Sequence, residues 1–170
     1  MISIIVAIDE HNAIGRRGEL LCHLPDDLRH FKQVTAGATV IMGERTFFSL
    51  PRHPLPNRRN IVLTDVPGKT FEGAEVAYSI DEALRMADAD RENFIIGGGM
   101  IYRQFFPLAD KLYITHIEHT FDDADTFFPL ITEDEWRPLT PDTATHGIAA
   151  HNADDCHPFP FRFAEYLRRT

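Results

Sequence analysis

The sequence predicts an α/β fold of three layers, with a mixed, mainly parallel central sheet of about eight strands flanked by about four helices. Three observations lead there. Ile2 to Ile8 is a nearly continuous apolar run rich in Ile, the pattern of a strand buried on both faces. Apolar runs of strand length then alternate with stretches of helical period, which builds repeated β-α-β units. Near the end, Phe159, Phe161 and Phe163 alternate with Pro160, Arg162 and Ala164, the period-two signature of a late antiparallel strand with one buried face.

Each element has a local cause. Pro25 can open a helix, because proline fits the first helical position and its missing N–H costs nothing there. That helix runs to about Thr35. Thr39 to Met42 reads as a strand, then Gly43 leads into a short helical stretch from Glu44 to about Leu50. Asn60 to Leu63 is a strand, and Ala74 to Tyr78 a weaker one. Ser79 can cap a helix from Ile80 to Ala87, with Glu82 at its third position. Phe94 to Ile96 is a strand that enters Gly97-Gly98-Gly99, and a helix from Met100 to Phe106 ends before Pro107. Lys111 to Glu118 is a strand. Pro141 to Asp155 is polar and irregular and reads as a long surface connection. No internal repeat or linker interrupts the chain, so residues 1–170 are read as a single domain.

Bulk properties narrow the function. A chain of 170 residues is long enough to bury about two-thirds of its unfolded surface. A hydrophobic content of 44% with 13 Phe supplies a core, and a formal charge of −9 argues against nucleic acid or an anionic membrane as partner. The N-terminal apolar run is too short for a signal peptide and has no basic residues before it. Nothing approaches the roughly 20 apolar residues of a membrane span. Cys22 and Cys156 read as free thiols, and no Cys/His set has zinc-like spacing, so no metal is expected. The chain reads as soluble and cytoplasmic.

One acid stands out. At about 100° per residue, Leu28, Phe31, Val34 and Thr35 fall within one helical arc of roughly 120°. Asp27 falls inside that arc, while Asp26, Arg29 and Lys32 fall outside it. Both acids could simply complement the positive end of the helix dipole, which suffices for Asp26. For Asp27 the same account leaves a carboxylate among apolar side chains, which is costly without a partner. A ligand with cationic or N–H donor groups is the functional alternative.

Two strand-to-helix junctions carry glycine. At Ile96-Gly97-Gly98-Gly99-Met100, glycines let the backbone pass close to a phosphate met by amide N–H groups, although triple glycine also serves plain tight turns. Met42-Gly43-Glu44-Arg45-Thr46 repeats the arrangement. Two such junctions suit a dinucleotide at the carboxyl ends of the strands. Between Arg45 and Asn60 stand Arg45, Arg52, Arg58 and Arg59, plus His53, with no Asp or Glu. This basic island is either a solvated loop or a clamp for an anionic ligand.

Taken together, these segments resemble dihydrofolate reductase of the bacterial chromosomal type, over nearly the whole chain. The matching pieces are Met1-Ile2-Ser3-Ile4-Ile5-Val6-Ala7, Ala13-Ile14-Gly15, and Leu24-Pro25-x-Asp27-Leu28-x-x-Phe31-Lys32. Further on come Val40-Ile41-Met42-Gly43, Thr46, Leu55-Pro56-Asn57-Arg58-Arg59-Asn60, Ile96-Gly97-Gly98-Gly99, Leu112-Tyr113-Ile114-Thr115-His116 and Asp125-Thr126-x-Phe128-Pro129. The resemblance implies reduction of 7,8-dihydrofolate to 5,6,7,8-tetrahydrofolate by hydride transfer from NADPH, supplying one-carbon metabolism. It also implies binding of antifolate inhibitors and a monomeric protein. By residue matching, Asp27 would bind the pterin ring and support protonation at N5 through water, with Thr115 bonded to it. Ile5, Ala7, Leu28, Phe31, Leu50 and Ile96 would surround the pterin and benzoyl rings. Arg58 would hold the α-carboxylate of the glutamate tail, with Arg52 and Lys32 nearby. Ala7, Ile14, Gly15, Gly43, Arg45, Thr46, Leu63, Thr64, Gly98, Gly99, Ile101, Tyr102, Gln104 and Thr126 would line the cofactor site.

The chain also departs from the family pattern. Cys22 stands where Trp is usual, and Ala124 where Gly is common. Glu44 and Met100 stand where basic residues are frequent, and Asp65 where Ser or Arg often helps hold the cofactor's 2′-phosphate. Glu44 is expected either to turn outward to an exposed Arg or to face the phosphate and weaken the preference for NADPH. The rival readings are the related reductase of riboflavin biosynthesis and a non-catalytic nucleotide-binding module. The former would lack the Asp27 helix pattern, and intact Asp27, Thr115 and glycines count against the latter.

Overall fold

The computed structural model describes residues 1–21, 24–139, 146–148 and 159–170. Cys22, Cys156 and most of the expected 141–155 connection lie outside the described residues. The chain runs through β1 (Ile2–Ile8), β2 (Ala13–Arg16), β3 (Glu19–Leu20), α1 (Pro25–Thr35), β4 (Thr39–Gly43), α2 (Glu44–Ser49), β5 (Arg59–Leu63) and β6 (Glu75–Ala77). It continues through α3 (Ile80–Met86), β7 (Asn93–Gly97), α4 (Gly99–Phe105), β8 (Lys111–Ile117), β9 (Thr126–Phe127), β10 (Trp136–Pro138), β11 (His146–Ile148) and β12 (Pro160–Arg168). Among the described residues the central sheet has nine strands, one more than the about eight expected, and with four helices it is the class expected from the sequence. The chain forms two compact units.

The first unit comprises Met1–Ile4 and Gln33–Asp110. Its strands are parallel in the order β1-β7-β4-β5-β6. Val40, Ile41, Met42, Ile61, Val62, Phe94 and Ile95 are all buried, as the unbroken apolar runs require of strands covered on both faces. Asn93 closes the amino end of β7, its amide donating to the carbonyls of Met1, Asp88 and Arg91. Ser79 caps α3 as expected, its hydroxyl accepting from Glu82 N at 3.0 Å. The Glu82 carboxylate returns to the N–H of Tyr78, one residue earlier than in the usual capping box. α4 ends at Phe105, and a short 3-10 turn over Phe106–Leu108 carries Pro107.

The second unit comprises Ile5–Lys32 and Lys111–Thr170. β12 lies antiparallel to β8 from Phe161 opposite Ile117 to Leu167 opposite Lys111. Phe161 is buried with Leu24 and Ile117, and Ala7, Phe121, Phe159 and Phe163 pack against this cluster. The expected irregular connection is corrected at its middle, where His146–Ile148 pairs with β12. A separate sheet of three strands, β3-β2-β9, has no counterpart in the sequence reading. Its strands of two to four residues are too short to show a period.

Candidate active site

In the second unit, α1 begins at Pro25, and the N–H of Leu28 closes its first turn on the carbonyl of Leu24. This places Asp27 at the third position of the helix, where the side chain is half-buried. Thr115, buried in β8, donates its hydroxyl to Asp27 Oδ1 at 2.5 Å. Burial pushes the Asp27 carboxyl above its ordinary value, while the Thr115 hydroxyl and the nearby His30 pull it back. The His30 ring stacks on Phe163 with centroids 3.9 Å apart, and Phe163 lies opposite Thr115 across the β8–β12 pair. The helix, the strand and the imidazole thus converge on one carboxylate.

The expected apolar arc of α1 is only partly buried. Thr35 is buried, Phe31 and Val34 are half-buried, and Leu28 is 40% exposed. Leu28 is therefore no core residue. Ile5 is buried and Ala7 half-buried, two residues apart in β1 and so on one face of it. Lys32 is exposed. Ile14 is buried in β2, and Gly15 pairs with both Leu20 and Thr126. The Thr126 hydroxyl donates to Asp125 Oδ1 at 2.9 Å.

In the first unit, the ends of β4 and β7 come together with the starts of α2 and α4. Gly97 has φ +128°, a region that L side chains rarely adopt. A Cβ on Gly98 would stand 3.4 Å from Thr46 Oγ1, and one on Gly43 only 3.1 Å from Ile101 Cγ1. A side chain at Gly98 would press on Thr46 and one at Gly43 on Ile101, so both positions need glycine for close approach. Tyr102 is buried, its N–H closing the first turn of α4 on the carbonyl of Gly98 at 2.9 Å. Leu63 and Thr64 are buried at the end of β5, Ile101 and Ile96 are half-buried, and Gln104 is exposed. Such a glycine cradle fits the phosphate-bearing part of a dinucleotide.

The basic island divides. Arg59 is bound to Glu75 and to the carbonyl of Met86, so it serves the sheet edge rather than a ligand. Arg58 donates from Nε to Thr35 Oγ1 at 2.9 Å and from Nη1 to the Pro56 carbonyl at 2.7 Å, a posture that fixes the guanidinium plane. Leu50 is half-buried, and Arg45 and Arg52 are exposed.

A family model described as dihydrofolate reductase matches residues 1–168. The chain belongs to the dihydrofolate reductase family. It is 39% identical to the dihydrofolate reductase of Bacillus subtilis over 100% of this chain and 96% of that one. It is 42% identical to the type 3 dihydrofolate reductase of Salmonella typhimurium over 99% of each. A solved dihydrofolate reductase from Enterococcus faecalis, complexed with NADP(H) and RAB-propyl, superposes with a TM-score of 0.83. That pair is 36% identical, covering 100% of this chain and 97% of the other.

Two features of the structure are not evident from the sequence. Asp9, buried, accepts the backbone N–H groups of His11, Ala13 and Phe121, at 2.8 to 2.9 Å. It anchors the turn that leads into β2, and its position after an apolar strand gave no sign of three partners. Glu44 does pair with a cation, but the cation is Lys69 and not an arginine. Its other oxygen accepts from the hydroxyl of Thr64 at 3.1 Å. Among the described residues, no helix is long and apolar enough to cross a membrane.

Proposed function

We infer that the chain reduces 7,8-dihydrofolate to 5,6,7,8-tetrahydrofolate with NADPH, and that Asp27 is the carboxylate that binds the pterin ring and supports its protonation at N5. The observation that carries this is the Asp27 carboxylate, held by the Thr115 hydroxyl at 2.5 Å beside apolar side chains. NADPH, when bound, supplies the hydride. The protein supplies placement and charge. Asp27 offers two carboxylate oxygens to the N–H donors of the aminopyrimidine edge, and its negative charge favours a ring protonated at N5. Thr115 orients the carboxylate through its bond to Oδ1. Ile5, Ala7, Leu28 and Phe31, in the same unit as Asp27, exclude water from the pterin and benzoyl rings.

Arg58, pre-set by Thr35 and Pro56, pairs with the α-carboxylate of the glutamate tail, with Arg52 adding positive charge. Gly43, Thr46, Gly98 and Gly99 give the main-chain cradle for the cofactor phosphates. Arg45, Leu63, Thr64, Ile101, Tyr102 and Gln104, in the same unit, complete this part of the cofactor set. The protein acts as a monomer in the cytoplasm, and folate-like inhibitors compete for the Asp27 site. The test is oxidation of NADPH by the purified chain with and without dihydrofolate, and with methotrexate added. Dihydrofolate-dependent, methotrexate-sensitive oxidation is expected; oxidation that ignores dihydrofolate would overturn the assignment.

A further inference from the structure

His30 stands three residues after Asp27 in α1, and residues so spaced are neighbours on one helix face. Its half-buried ring stacks on Phe163 of β12, with centroids 3.9 Å apart and planes 12° from parallel. Phe163 is paired in register with Thr115 of β8, and the Thr115 hydroxyl donates to Asp27. Four residues from three elements of the second unit therefore close a circuit. Asp27 meets Thr115 by a hydrogen bond, Thr115 meets Phe163 across the strand pair, Phe163 meets His30 by stacking, and His30 returns to Asp27 along the helix. Phe163 is itself backed by the buried ring of Phe161, 5.5 Å away.

The other charges of these elements have their own places. On α1, Asp26 is paired with Arg29, and Lys32 is exposed. On β12, Glu165 shares the face of Phe163 and pairs with Lys111 of β8 at 3.0 Å. Arg162 and His116 oppose each other on the far face, where the His116 ring meets the Tyr166 hydroxyl at 2.8 Å. We propose that His30 is a positioning residue for the reduction: its ring, clasped to Phe163, seats the first turn of α1 on the β8–β12 pair, and its imidazolium form sets a positive charge beside the Asp27 carboxylate. The inference rests on the reading of Asp27 as the carboxylate that binds the pterin ring. Any aromatic side chain could supply the stack. A histidine adds a charge that appears as pH falls through its ordinary range, near about 6.5. Burial raises the proton affinity of Asp27, and the His30 charge, with the Thr115 hydroxyl, opposes that rise. The circuit thus keeps the carboxylate ionised further into acid than burial alone allows.

The test compares wild type, His30→Phe and His30→Ala. His30→Phe keeps a ring against Phe163 and removes the charge, whereas His30→Ala removes both. The Asp27 carboxyl is titrated by isotope-edited NMR in the ligand-free protein, and kcat and KM for dihydrofolate are measured across acid and neutral pH with saturating NADPH. In both variants the Asp27 midpoint should rise by about half a pH unit, and high salt should shrink that rise. His30→Phe should keep KM at neutral pH within about twofold of wild type, because the stack survives. His30→Ala should raise KM about fivefold or more, because the turn that carries Asp27 is no longer clasped. Thermal melts identify any loss of fold, and His30→Phe still decides the matter through the midpoint if His30→Ala melts early. A midpoint that folded His30→Phe leaves where wild type has it would overturn the inference. So would a folded His30→Ala with wild-type KM. Wild type that does not oxidise NADPH with dihydrofolate, while its Asp27 midpoint responds to His30, would instead overturn the pterin reading of Asp27.

Discussion

Thr115 Oγ1 donates a 2.5 Å hydrogen bond to Asp27 Oδ1 across 88 positions of sequence. The bond joins the first turn of α1 to the middle of β8 and gives an otherwise burdened carboxylate one fixed partner. Burial raises the proton affinity of Asp27 in the folded chain, so ionised Asp27 works against folding. The sign follows directly. A carboxyl whose folded pKa lies above its unfolded value loses stability as pH rises from the unfolded value through the folded one.

Asp27→Asn should therefore melt at a higher temperature than wild type at neutral pH. The amide keeps an oxygen to accept from Thr115 and removes the desolvated charge. The difference should shrink as pH falls toward the ordinary carboxylate range, about 4, where Asp27 becomes neutral in both states. Paired melting curves across that range are the check, and a pH-independent difference would mean that the charge of Asp27 costs nothing.

Thr115→Val keeps the shape of the side chain and removes the donor. The Asp27 carboxyl should then move further above its ordinary value, because the hydroxyl favours the ionised form. Turnover should fall at neutral pH, and the pH at which substrate binding changes should shift upward. An unchanged pH profile would show that the bond does not influence the carboxylate.

Arg58→Leu should weaken methotrexate and dihydrofolate by about 2–3 kcal/mol, the magnitude of a partly desolvated charge-assisted pair. Trimethoprim, which has no glutamate tail, should bind nearly as before, and so should NADPH. Equal losses for methotrexate and trimethoprim in a binding titration would show that Arg58 does not read the tail.

Asp9→Ala should cost about 2–4 kcal/mol, since three backbone N–H groups at a buried site lose their acceptor. Urea denaturation measures it. Asp9→Asn, which retains one accepting oxygen, should recover part of the loss.

The alternation of parallel strands and helices was legible because buried β-branched runs such as Ile2–Ile8 and Asn60–Leu63 have few other uses. The start of α1 at Pro25 and the cap at Ser79 were legible from local chemistry alone. The partnership of Asp27 with Thr115 was not; it came from resemblance, since no local pattern links residues so far apart. Charge patterning misled in a specific way. The arginine-rich segment contains no acid, yet Arg59 finds Glu75 on the neighbouring strand β6, where only the fold could place it. Glu44 likewise took its cation from Lys69, 25 positions on. β2, β3 and β9 went unseen because such short strands are defined by their partners rather than by a periodic sequence.

The most direct measurement is the pH dependence of kcat for Asp27→Asn against wild type, with saturating NADPH and dihydrofolate. The variant should lose about a hundredfold or more at pH 7, the scale of a removed acid or base. Its rate should then climb toward wild type as pH falls, because dihydrofolate protonated in solution no longer needs a carboxylate to favour that form. A variant with the wild-type rate at pH 7, or with a loss that stays the same at every pH, would contradict the role given to Asp27.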